Sequence, residues 1–317
     1  MKVLVCGATG FIGRNMAERF AGHKDWDVVG IHHKRPPFDH PGLTWIEGDL
    51  TNPRDIERCL DGVDVVIQAA ATTSGSKDIV TRPFIHVTDN AVMNSLLFRA
   101  AFERQVKHVL FFSCTVMYPS REIPLKEEDF DANAAMHSRY FGVGHTKLYI
   151  EKMCEFFSQI GKTRFTAIRH SNIYGPHDKF DLERSHVFGA TVTKVLTARN
   201  GRITVWGTGE EARDLLYVDD LADFVEAAIT YQRTPYALYN CGSGQAVSIK
   251  DLVHQIVQAS GQALRIEHDL TQPTIKTSLS LDCSKAEREL GWTVKTPLQE
   301  GIARTIQWWR AHPPTAH

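Results

Sequence analysis

Hydrophobic positions in the first part of the chain alternate between short uninterrupted runs and a helical spacing. Residues 2–5 and 26–31 each predict a buried strand, because both runs are short and mostly apolar. Between these runs, apolar residues recur at the spacing of one helix face, at Ile12, Met16, Ala17 and Phe20. The predicted order of strand, helix and strand is typical of the first half of a dinucleotide-binding unit.

The turn between the first strand and the helix carries Gly7, Gly10 and Gly13. We expect Gly7 to allow a tight turn, Gly10 to let the backbone approach a pyrophosphate, and Gly13 to let the helix pack closely. The pyrophosphate would lie at the helix N-terminus beside Phe11 and Ile12, where unpaired N–H groups favour anions. The alternative is a glycine-rich turn of an unrelated α/β protein, but its position between a strand and a helix favours a nucleotide site.

The same alternation continues along the chain and defines the predicted fold. Further strands are predicted at 43–47, 63–68 and 106–112, and long helices at 84–103 and 138–160. Strands that alternate with helices predict a parallel sheet covered on both faces, with ligands at the carboxyl ends of the strands. The prediction is therefore an α/β protein with a Rossmann-type, doubly wound parallel sheet, followed by a smaller C-terminal substrate lobe.

Composition narrows the classes of function that the chain could serve. The 317 residues are 43% hydrophobic, which is enough to bury a sizeable core. The 36 Lys and Arg balance 37 Asp and Glu, so we expect no nucleic-acid partner. The six cysteines show no disulfide or metal-site spacing, and no apolar run could cross a membrane. We predict a cytoplasmic protein with no metal site and no membrane partner.

The end of the second predicted strand bears on the choice of cofactor. NAD-specific folds place an acidic residue near this point to bind the ribose 2′-hydroxyl. Here Lys34 and Arg35 follow the strand, and Arg14 is a further candidate to pair with a 2′-phosphate. The alternative is two basic residues on a solvated loop. The sequence predicts NADP, with NAD as the second possibility.

Small residues follow the fourth predicted strand. Ala69, Ala70 and Ala71 would let a cofactor lie close to the end of that strand. We therefore add all three to the predicted cofactor site.

The glycine spacing, with two residues between successive glycines, resembles the extended short-chain dehydrogenase/reductase family of NAD-dependent epimerases and dehydratases. Members of this family mostly act on nucleotide sugars. The second half resembles most the GDP-L-fucose synthases of the family, in residues 169–180, 185–187, 205–209, 213–220 and 240–244. The resemblance implies a site for a GDP-sugar or a similar nucleotide sugar.

The resemblance also assigns expected roles on the cofactor side. An aspartate after the third strand contacts the adenine in this family, and Asp49 matches it, with Leu50 beside it. The family places Tyr-x-x-x-Lys on the helix after the fifth strand, where the tyrosine is the acid/base and the lysine holds the nicotinamide ribose. Lys147 matches the lysine.

On the substrate side, His186 matches the histidine that acts as an acid in epimerisation, and Arg213 matches an arginine that contacts the substrate. Thr115 and Asn172 lie near or within the matched stretches, and we expect them to contact substrate too. An exposed histidine with no role is the alternative for His186.

The chain departs from the family pattern at three positions that handle protons. The expected serine is Cys114, the expected cysteine is Val116 and the expected tyrosine is Val143. A valine cannot carry a proton. Cys114 would be the substitute acid/base if it ionised beside Lys147, or otherwise a small polar filler.

Two hypotheses follow from this mixture. The first is an NADP-linked nucleotide-sugar epimerase, reductase or dehydratase with atypical acid/base residues. The second is a catalytically silent protein that binds NADP(H) and a nucleotide sugar and regulates or partners an active enzyme. Val143 favours the second hypothesis, and the extensive match of the substrate half favours a retained sugar-nucleotide site.

The resemblance also implies a domain organisation and an assembly. Residues 1–175 would form the cofactor domain, with 213–243 returning to it, and 176–317 would form the nucleotide-sugar lobe. The long helices at 84–103 and 138–160 would pair with those of a second copy in a homodimer.

Overall fold

The computed structural model describes residues 1–72, 84–182, 185–271 and 277–313. Its strands are β1 (Lys2–Cys6), β2 (Asp27–His32), β3 (Leu43–Glu47), β4 (Val65–Gln68), β5 (His108–Phe112), β6 (Arg164–His170), β7 (Asn172–Tyr174), β8 (Arg202–Trp206), β9 (Ala212–Tyr217), β10 (Tyr236–Cys241), β11 (Ala246–Ser248) and β12 (Arg265–Asp269). Its helices are α1 (Phe11–Ala21), α2 (Pro53–Cys59), α3 (Phe84–Glu103), α4 (Phe141–Ile160), α5 (Val187–Leu196), α6 (Val218–Tyr231), α7 (Ile249–Ser260), α8 (Ser284–Leu290) and α9 (Leu298–Ala311).

A parallel sheet forms the centre of the molecule, with the strand order β10-β6-β5-β4-β1-β2-β3. Strands such as β4 and β5 are buried along their whole length, which explains why they are continuous apolar runs rather than alternating ones. Helices α1 and α6 pack on one face, where Phe20 and Phe224 join the core. Helices α2, α3 and α4 pack on the other, through Phe98 and Ile150 among others. The predicted α/β, doubly wound fold is confirmed.

Most predicted boundaries of these elements hold to within one residue, and three need a larger correction. Helix α3 spans the predicted residues, but the predicted helix at 138–160 begins as a 3₁₀ turn at Ser138–Tyr140 before α4 starts. The two strands predicted from 63 and 106 start later, at Val65 and His108. Val63 still belongs to the turn before β4, because its amide donates to the carbonyl of Leu60 at 3.2 Å and Gly62 beside it is left-handed, with φ of 66°.

A smaller lobe follows the sheet and has its own core. Strands β7, β9 and β11 form one small sheet, and β8 pairs with β12. Helices α5, α7 and α9 enclose apolar side chains that include Phe188, Ile256 and Ile306. Among the described residues, no helix combines the length and apolar character needed to cross a membrane.

The chain crosses between the two parts more than once. Strand β9 lies in the small sheet, whereas β10 pairs in parallel with β6 at the edge of the main sheet. Helix α6 packs against α1, so this stretch contributes to both parts. Asn15 Nδ2 donates to the carbonyl of Pro176 at 2.9 Å and joins α1 to the loop after β7. The proposed domain boundary at 175 itself stays a prediction.

Candidate functional site

The glycine turn between β1 and α1 leaves no room for side chains. Gly7 has φ of 71°, and a Cβ built there would lie 2.7 Å from the Cα of Ala70. A Cβ on Gly13 would overlap the carbonyl oxygen of Gly7, so α1 sits directly on the turn. At Gly10 the built Cβ lies 3.2 Å from the same oxygen, which is a tight contact but not an overlap. The turn is therefore as compact as the sequence predicted.

The N-terminus of α1 is free to receive an anion. Gly10 is the N-cap and supplies no side chain to satisfy the first N–H groups, and no acidic residue lies in the first turn. The amides at Phe11 and Ile12 belong to this unsatisfied first turn. A diphosphate would meet both the N–H groups and the positive end of the helix dipole. This cradle fits the cofactor that the sequence predicted.

The loop after β2 places one cation over that turn. Arg35 Nη1 lies 3.5 Å from the carbonyl oxygen of Thr9, and Lys34 beside it is exposed. Arg14 behaves differently, because its Nε lies 2.8 Å from Glu18 Oε1 and its guanidinium stacks over Phe38. Arg35 is therefore better placed than Arg14 to meet an additional phosphate.

The end of β3 carries the residue predicted to meet an adenine. Both the amide and the hydroxyl of Thr51 donate to Asp49 Oδ1 at 2.8 Å. The hydrogen bond from the Thr51 amide lowers the pKa of Asp49 more than any other interaction does. Leu50 is buried in the sheet's core, so its side chain has a packing role.

The alanines after β4 lie against the glycine turn. The amide of Ala69 donates to the carbonyl of Cys6 at 3.2 Å, and the amide of Ala70 donates to Gln68 Oε1 at 3.2 Å. Ala70 is the residue that a Cβ on Gly7 would strike. Ala71 is partly buried next to them, so the three residues after β4 present only methyl side chains at this edge.

A second group of predicted residues gathers at the carboxyl end of β5. Lys147 Nζ donates to the carbonyl oxygen of Phe112 at 2.7 Å and lies over the ring of Phe111. Burial lowers the pKa of Lys147. Burial also raises the pKa of the Cys114 thiol, although Lys147 acts in the opposite direction. Cys114 is therefore a protonated thiol at neutral pH, which favours the filler interpretation.

The two valines lie where the family pattern would have proton carriers. Val143 is partly buried one helical turn before Lys147, on the same face of α4. A Cβ built on Gly144 would lie 3.6 Å from Val116 Cγ2 and would overlap the sulfur of Met136. The first turn of α4 therefore meets an apolar surface.

Sequence reasoning missed a buried ion pair beneath this edge. Arg169 donates to Glu151 through Nε at 3.0 Å and through Nη2 at 2.8 Å, and both side chains are almost fully buried. Ser113 Oγ donates to the same carboxylate at 2.5 Å, and Arg169 Nη1 donates to the hydroxyl of Tyr118 at 3.0 Å. The available signal was the position of Glu151, which follows Lys147 by one turn on the buried face of α4.

His170 was also overlooked, although it lies within a matched stretch. It is the last residue of β6, and its Nδ1 lies 2.8 Å from the carbonyl oxygen of Ser171. Its ring meets that of Phe112 edge-on, with centroids 6.0 Å apart. A histidine at the carboxyl end of a parallel strand should have been a candidate, because ligands bind at that edge.

The predicted substrate residues are spread over the adjoining loops. His186 is exposed and forms the N-cap of α5, and Thr115 is partly buried in the turn after β5. Asn172 Nδ2 donates to the carbonyl of Asp214 at 3.2 Å. Arg213 Nη1 donates to Thr277 Oγ1 at 2.5 Å, so this guanidinium is tied to the C-terminal part. The four residues therefore come from four separate parts of the chain: the turn after β5, strand β7, the start of α5 and strand β9.

No metal centre emerges from the described parts of the chain. Within residues 1–72, 84–182, 185–271 and 277–313, no group of three or more His, Cys, Asp or Glu side chains is placed to hold a metal ion.

Comparisons with known proteins extend the motif matches along the chain. Residues 3–242 match the model of the NAD dependent epimerase/dehydratase family. GDP-L-colitose synthase of Yersinia pseudotuberculosis is 26% identical over 315 residues, which cover 97% of each chain. GDP-L-fucose synthase 1 of Arabidopsis thaliana is 30% identical over 317 residues, which cover 97% of this chain and 93% of that one. The structure of MoeE5 in complex with UDP-glucuronic acid and NAD has a TM-score of 0.85 and 25% identity, covering 98% of this chain and 99% of that one.

Proposed function

Because the chain belongs to the NAD dependent epimerase/dehydratase family, as its motifs predicted, we propose that it is an NADP-dependent enzyme acting on a nucleotide sugar. The observation that carries this proposal is the uncapped N-terminus of α1, which lies on the compact turn formed by Gly7, Gly10 and Gly13. A diphosphate is the ligand that this arrangement suits best.

The cofactor half of the proposal assigns roles to the residues around the turn. The amides of Phe11 and Ile12 would bind the pyrophosphate, Arg35 and Lys34 a 2′-phosphate, and Asp49 the adenine. Lys147 would hold the nicotinamide ribose. The bound nicotinamide would supply or accept a hydride, and the residues of the chain would hold it at the carboxyl ends of β4 and β5.

The substrate half rests on relatives that match nearly the whole chain. The names of two of them state that they synthesise GDP-L-colitose and GDP-L-fucose. We propose that this chain reduces, oxidises or epimerises a GDP-sugar or a similar nucleotide sugar. Arg213, Asn172 and Thr115 would bind it, and His186 would act as an acid near the sugar.

A second candidate function is a silent binding protein, and one observation favours it. Val116 lies near Gly144 in the first turn of α4, which also carries Val143, and the family pattern has a cysteine and a tyrosine at the two valine positions. A missing general acid/base typically costs a factor of about 10²–10⁴ in rate. Such a protein would hold NADP(H) and a nucleotide sugar and regulate an active partner.

A homodimer is part of the proposal. Helices α3 and α4 pack side by side and leave large apolar side chains in water. Phe84 and Phe141 are each 61% exposed, and Tyr149 and Phe156 are 53% and 54% exposed. Pairing with the same helices of a second copy would cover this apolar surface.

Mass spectrometry of the purified protein tests the binding half of the proposal. We expect NADP(H) to co-purify, with or without a GDP-sugar. A sugar nucleotide with a nucleobase other than guanine would change the proposed substrate. The absence of any nucleotide, together with no calorimetric binding of added NADP⁺, would contradict the proposal. NADPH absorbance with a panel of 4-keto nucleotide sugars, including GDP-4-keto-6-deoxymannose, then separates enzyme from silent binder.

A further inference from the structure

We propose that His170 is the proton-transferring residue of this site, and that its Nε2 removes the proton from the sugar hydroxyl that becomes the ketone. This proposal rests on the proposed function. It names a residue that carries a proton where Val143 cannot.

The position of His170 is the first argument. The amide of Ser113 donates to the carbonyl of Ile168 at 2.8 Å, and the amide of Ser171 donates to that of Cys241 at 2.9 Å. These bonds fix the carboxyl end of β6 between β5 and β10, with His170 at its last position. Ligands bind at this edge in doubly wound sheets.

The neighbours of His170 supply the second argument. Its imidazole packs edge-on against Phe112, whose carbonyl oxygen accepts a hydrogen bond from Lys147. Lys147 and His170 therefore approach the same residue from α4 and from β6. In the family pattern the proton carrier lies beside this lysine, so the imidazole occupies the right part of the sheet for that role.

The tautomer of His170 is defined by its hydrogen bond. A carbonyl oxygen can only accept, so the 2.8 Å contact with Ser171 requires the proton on Nδ1. The neutral ring then presents the lone pair of Nε2, which has no protein partner among the described residues and is not enclosed. Orientation of one ring nitrogen by a backbone carbonyl is a common way to direct the other toward a reaction.

Burial and the charges that face the ring keep it neutral. Burial lowers the pKa of His170 to about 4; the hydrogen bond to Ser171 acts in the opposite direction, and Lys147 on α4 and His186 before α5 add to the lowering. The imidazole is therefore unprotonated at neutral pH, and the lone pair of Nε2 is available. Cys114, the other candidate, follows β5; its pKa is raised by burial, so it is a protonated thiol at neutral pH.

The backbone beneath the ring is held rigidly. Arg169 precedes His170 and is bound to Glu151 by two hydrogen bonds in the interior. Glu151 lies one turn after Lys147 on α4, so this ion pair ties the two candidate residues to one buried unit. Groups that transfer protons gain from such fixed placement.

The proposed step is an alcohol oxidation, and its atoms balance. The carbon–hydrogen bond breaks and its hydride, with both electrons, leaves to the nicotinamide of the proposed function. The oxygen–hydrogen bond breaks and its proton moves to Nε2 of His170. The carbon–oxygen double bond that forms completes the ketone, and the reverse step returns proton and hydride.

The kinetic test compares His170→Asn with His254→Asn, using NADP⁺ and GDP-L-fucose as the probe pair. Asparagine retains a donor for the Ser171 carbonyl but has no titratable nitrogen, and His254 is an exposed residue on α7. We expect His170→Asn to lower single-turnover hydride transfer about 100-fold or more. NADP⁺ affinity should stay within about twofold, as expected for loss of a general base that leaves the adenine and phosphate contacts intact.

Chemical rescue distinguishes proton transfer from a structural role. Added imidazole should restore part of the rate in His170→Ala and should leave His254→Ala unchanged. A rate in His170→Asn equal to wild type, or loss of rate with no imidazole rescue and with weakened NADP⁺ binding, would overturn the proposal.

A spectroscopic readout covers the case in which the wild type transfers no hydride to or from this probe. In ¹⁵N-histidine spectra, we expect His170 to show the Nδ1–H tautomer in the free protein and a shift of Nε2 when NADP⁺ and GDP-L-fucose are added. The opposite tautomer, or an Nε2 chemical shift that stays unchanged when both nucleotides are added, would overturn the proposal. Failure of the proposed function is recognised separately, because neither nucleotide would then bind the wild type.

Discussion

Two regions at the same edge of the sheet differ in how closely they follow the family pattern. At the carboxyl ends of β1 and β2, the glycine turn and the free N-terminus of α1 have the geometry that a diphosphate requires. At the ends of β5 and β6, Lys147 remains, but Cys114, Val116 and Val143 replace the expected proton carriers. In the proposed function, nucleotide binding and proton transfer would thus rest on separate parts of one edge.

The two regions differ because one depends on backbone atoms and the other on side-chain atoms. The nucleotide region uses backbone N–H groups, and only glycine keeps these accessible in so compact a turn. The proton-transfer region uses side chains, and another side chain at the same edge can take over the task. In our proposal a histidine at the end of β6 replaces a tyrosine on α4, whereas a side chain at Gly7, whose φ is 71°, would strike Ala70.

The largest expected effect is loss of the cofactor in Gly10→Val. The branched side chain would fill the space over the first turn of α1 and press on the carbonyl oxygen of Gly7, which lies 3.2 Å from the built Cβ. We expect NADP⁺ affinity measured by calorimetry to fall by about 10³-fold or more, since the pyrophosphate loses its close backbone contacts.

Gly22→Val is the matched control for that experiment. Gly22 ends the same helix with φ of −80°, and a Cβ there would lie 3.5 Å from its nearest neighbour, an ordinary contact. Both variants should keep the circular dichroism of the wild type. Unchanged NADP⁺ affinity in Gly10→Val would mean that the glycine stretch is only a turn.

The next effect concerns cofactor selectivity through Arg35→Asp. The guanidinium of Arg35 lies over Thr9 in the glycine turn, where a 2′-phosphate would meet it. An aspartate would repel that phosphate and accept from the 2′-hydroxyl of NAD. We expect the preference for NADP⁺ over NAD⁺ to reverse, with the affinity ratio changing by about 100-fold, since one charge-assisted pair is replaced by a repulsion.

Arg14→Ala provides the comparison for Arg35→Asp. Arg14 is already bound to Glu18 at 2.8 Å, so its removal should change the affinity ratio far less. An NAD⁺ preference in the wild type would contradict the assignment of Arg35.

The two regions also differ in how much of them could be predicted from the sequence. The glycine turn was predicted in detail, because the backbone packing at Gly7 and Gly13 leaves no room for a side chain. The Glu151–Arg169 pair was not, since the position of Glu151 on the buried face of α4 does not show which basic residue it meets in the interior. His170 was missed for a related reason: its role depends on contacts with Phe112 and Ser171 rather than on a spacing.

The start of the last helix shows the same limit, because its N-cap also depends on contacts with distant residues. By its residue types, Thr296 followed by Pro297 favours an N-cap and a first helical residue for the last helix. In the structure Pro297 is the N-cap, with ψ of 148°, and α9 begins at Leu298. The cause is tertiary, because the carboxylate of Asp220 accepts from the amides of Lys295 and Thr296 and holds the entering chain outside the helix.

The next prediction concerns acid stability and a histidine in the interior of β5. His108 is fully buried, and its Nε2 donates to Thr166 Oγ1 at 2.7 Å because that hydroxyl donates to Gln232. Nδ1 has no partner among the described residues, and burial lowers the pKa of His108 to about 3. Between an unfolded pKa of about 6.5 and this value, only the unfolded chain binds the proton.

Stability should therefore fall as the pH falls. From pH 7 to pH 5 we expect His108 to lower the free energy of unfolding by about 2 kcal/mol, at about 1.4 kcal/mol per pH unit below 6.5. Urea unfolding of His108→Gln should show a correspondingly smaller pH dependence, whereas His254→Gln should match the wild type. An equal pH dependence in His108→Gln would mean that this histidine is not held neutral.

The smallest expected effect tests whether the proton-transfer region can be returned to the family pattern. Val143 lies one turn before Lys147 on the same face of α4, and Lys147 would lower the pKa of a phenol placed there by favouring the phenolate. In a His170→Asn background, Val143→Tyr should raise hydride transfer by about tenfold, a modest share of a general acid/base contribution. In the wild-type background the same substitution should lower the rate, because the ring crowds a site that already has its own base.

Val143→Phe controls for the ring without the hydroxyl and should crowd the site equally without raising the rate in either background. Stopped-flow NADPH absorbance with NADP⁺ and GDP-L-fucose measures all of these variants. Equal rates for Val143→Tyr and Val143→Phe in the His170→Asn background would mean that position 143 does not face the reacting hydroxyl, and the apolar surface formed with Val116 would then be packing alone.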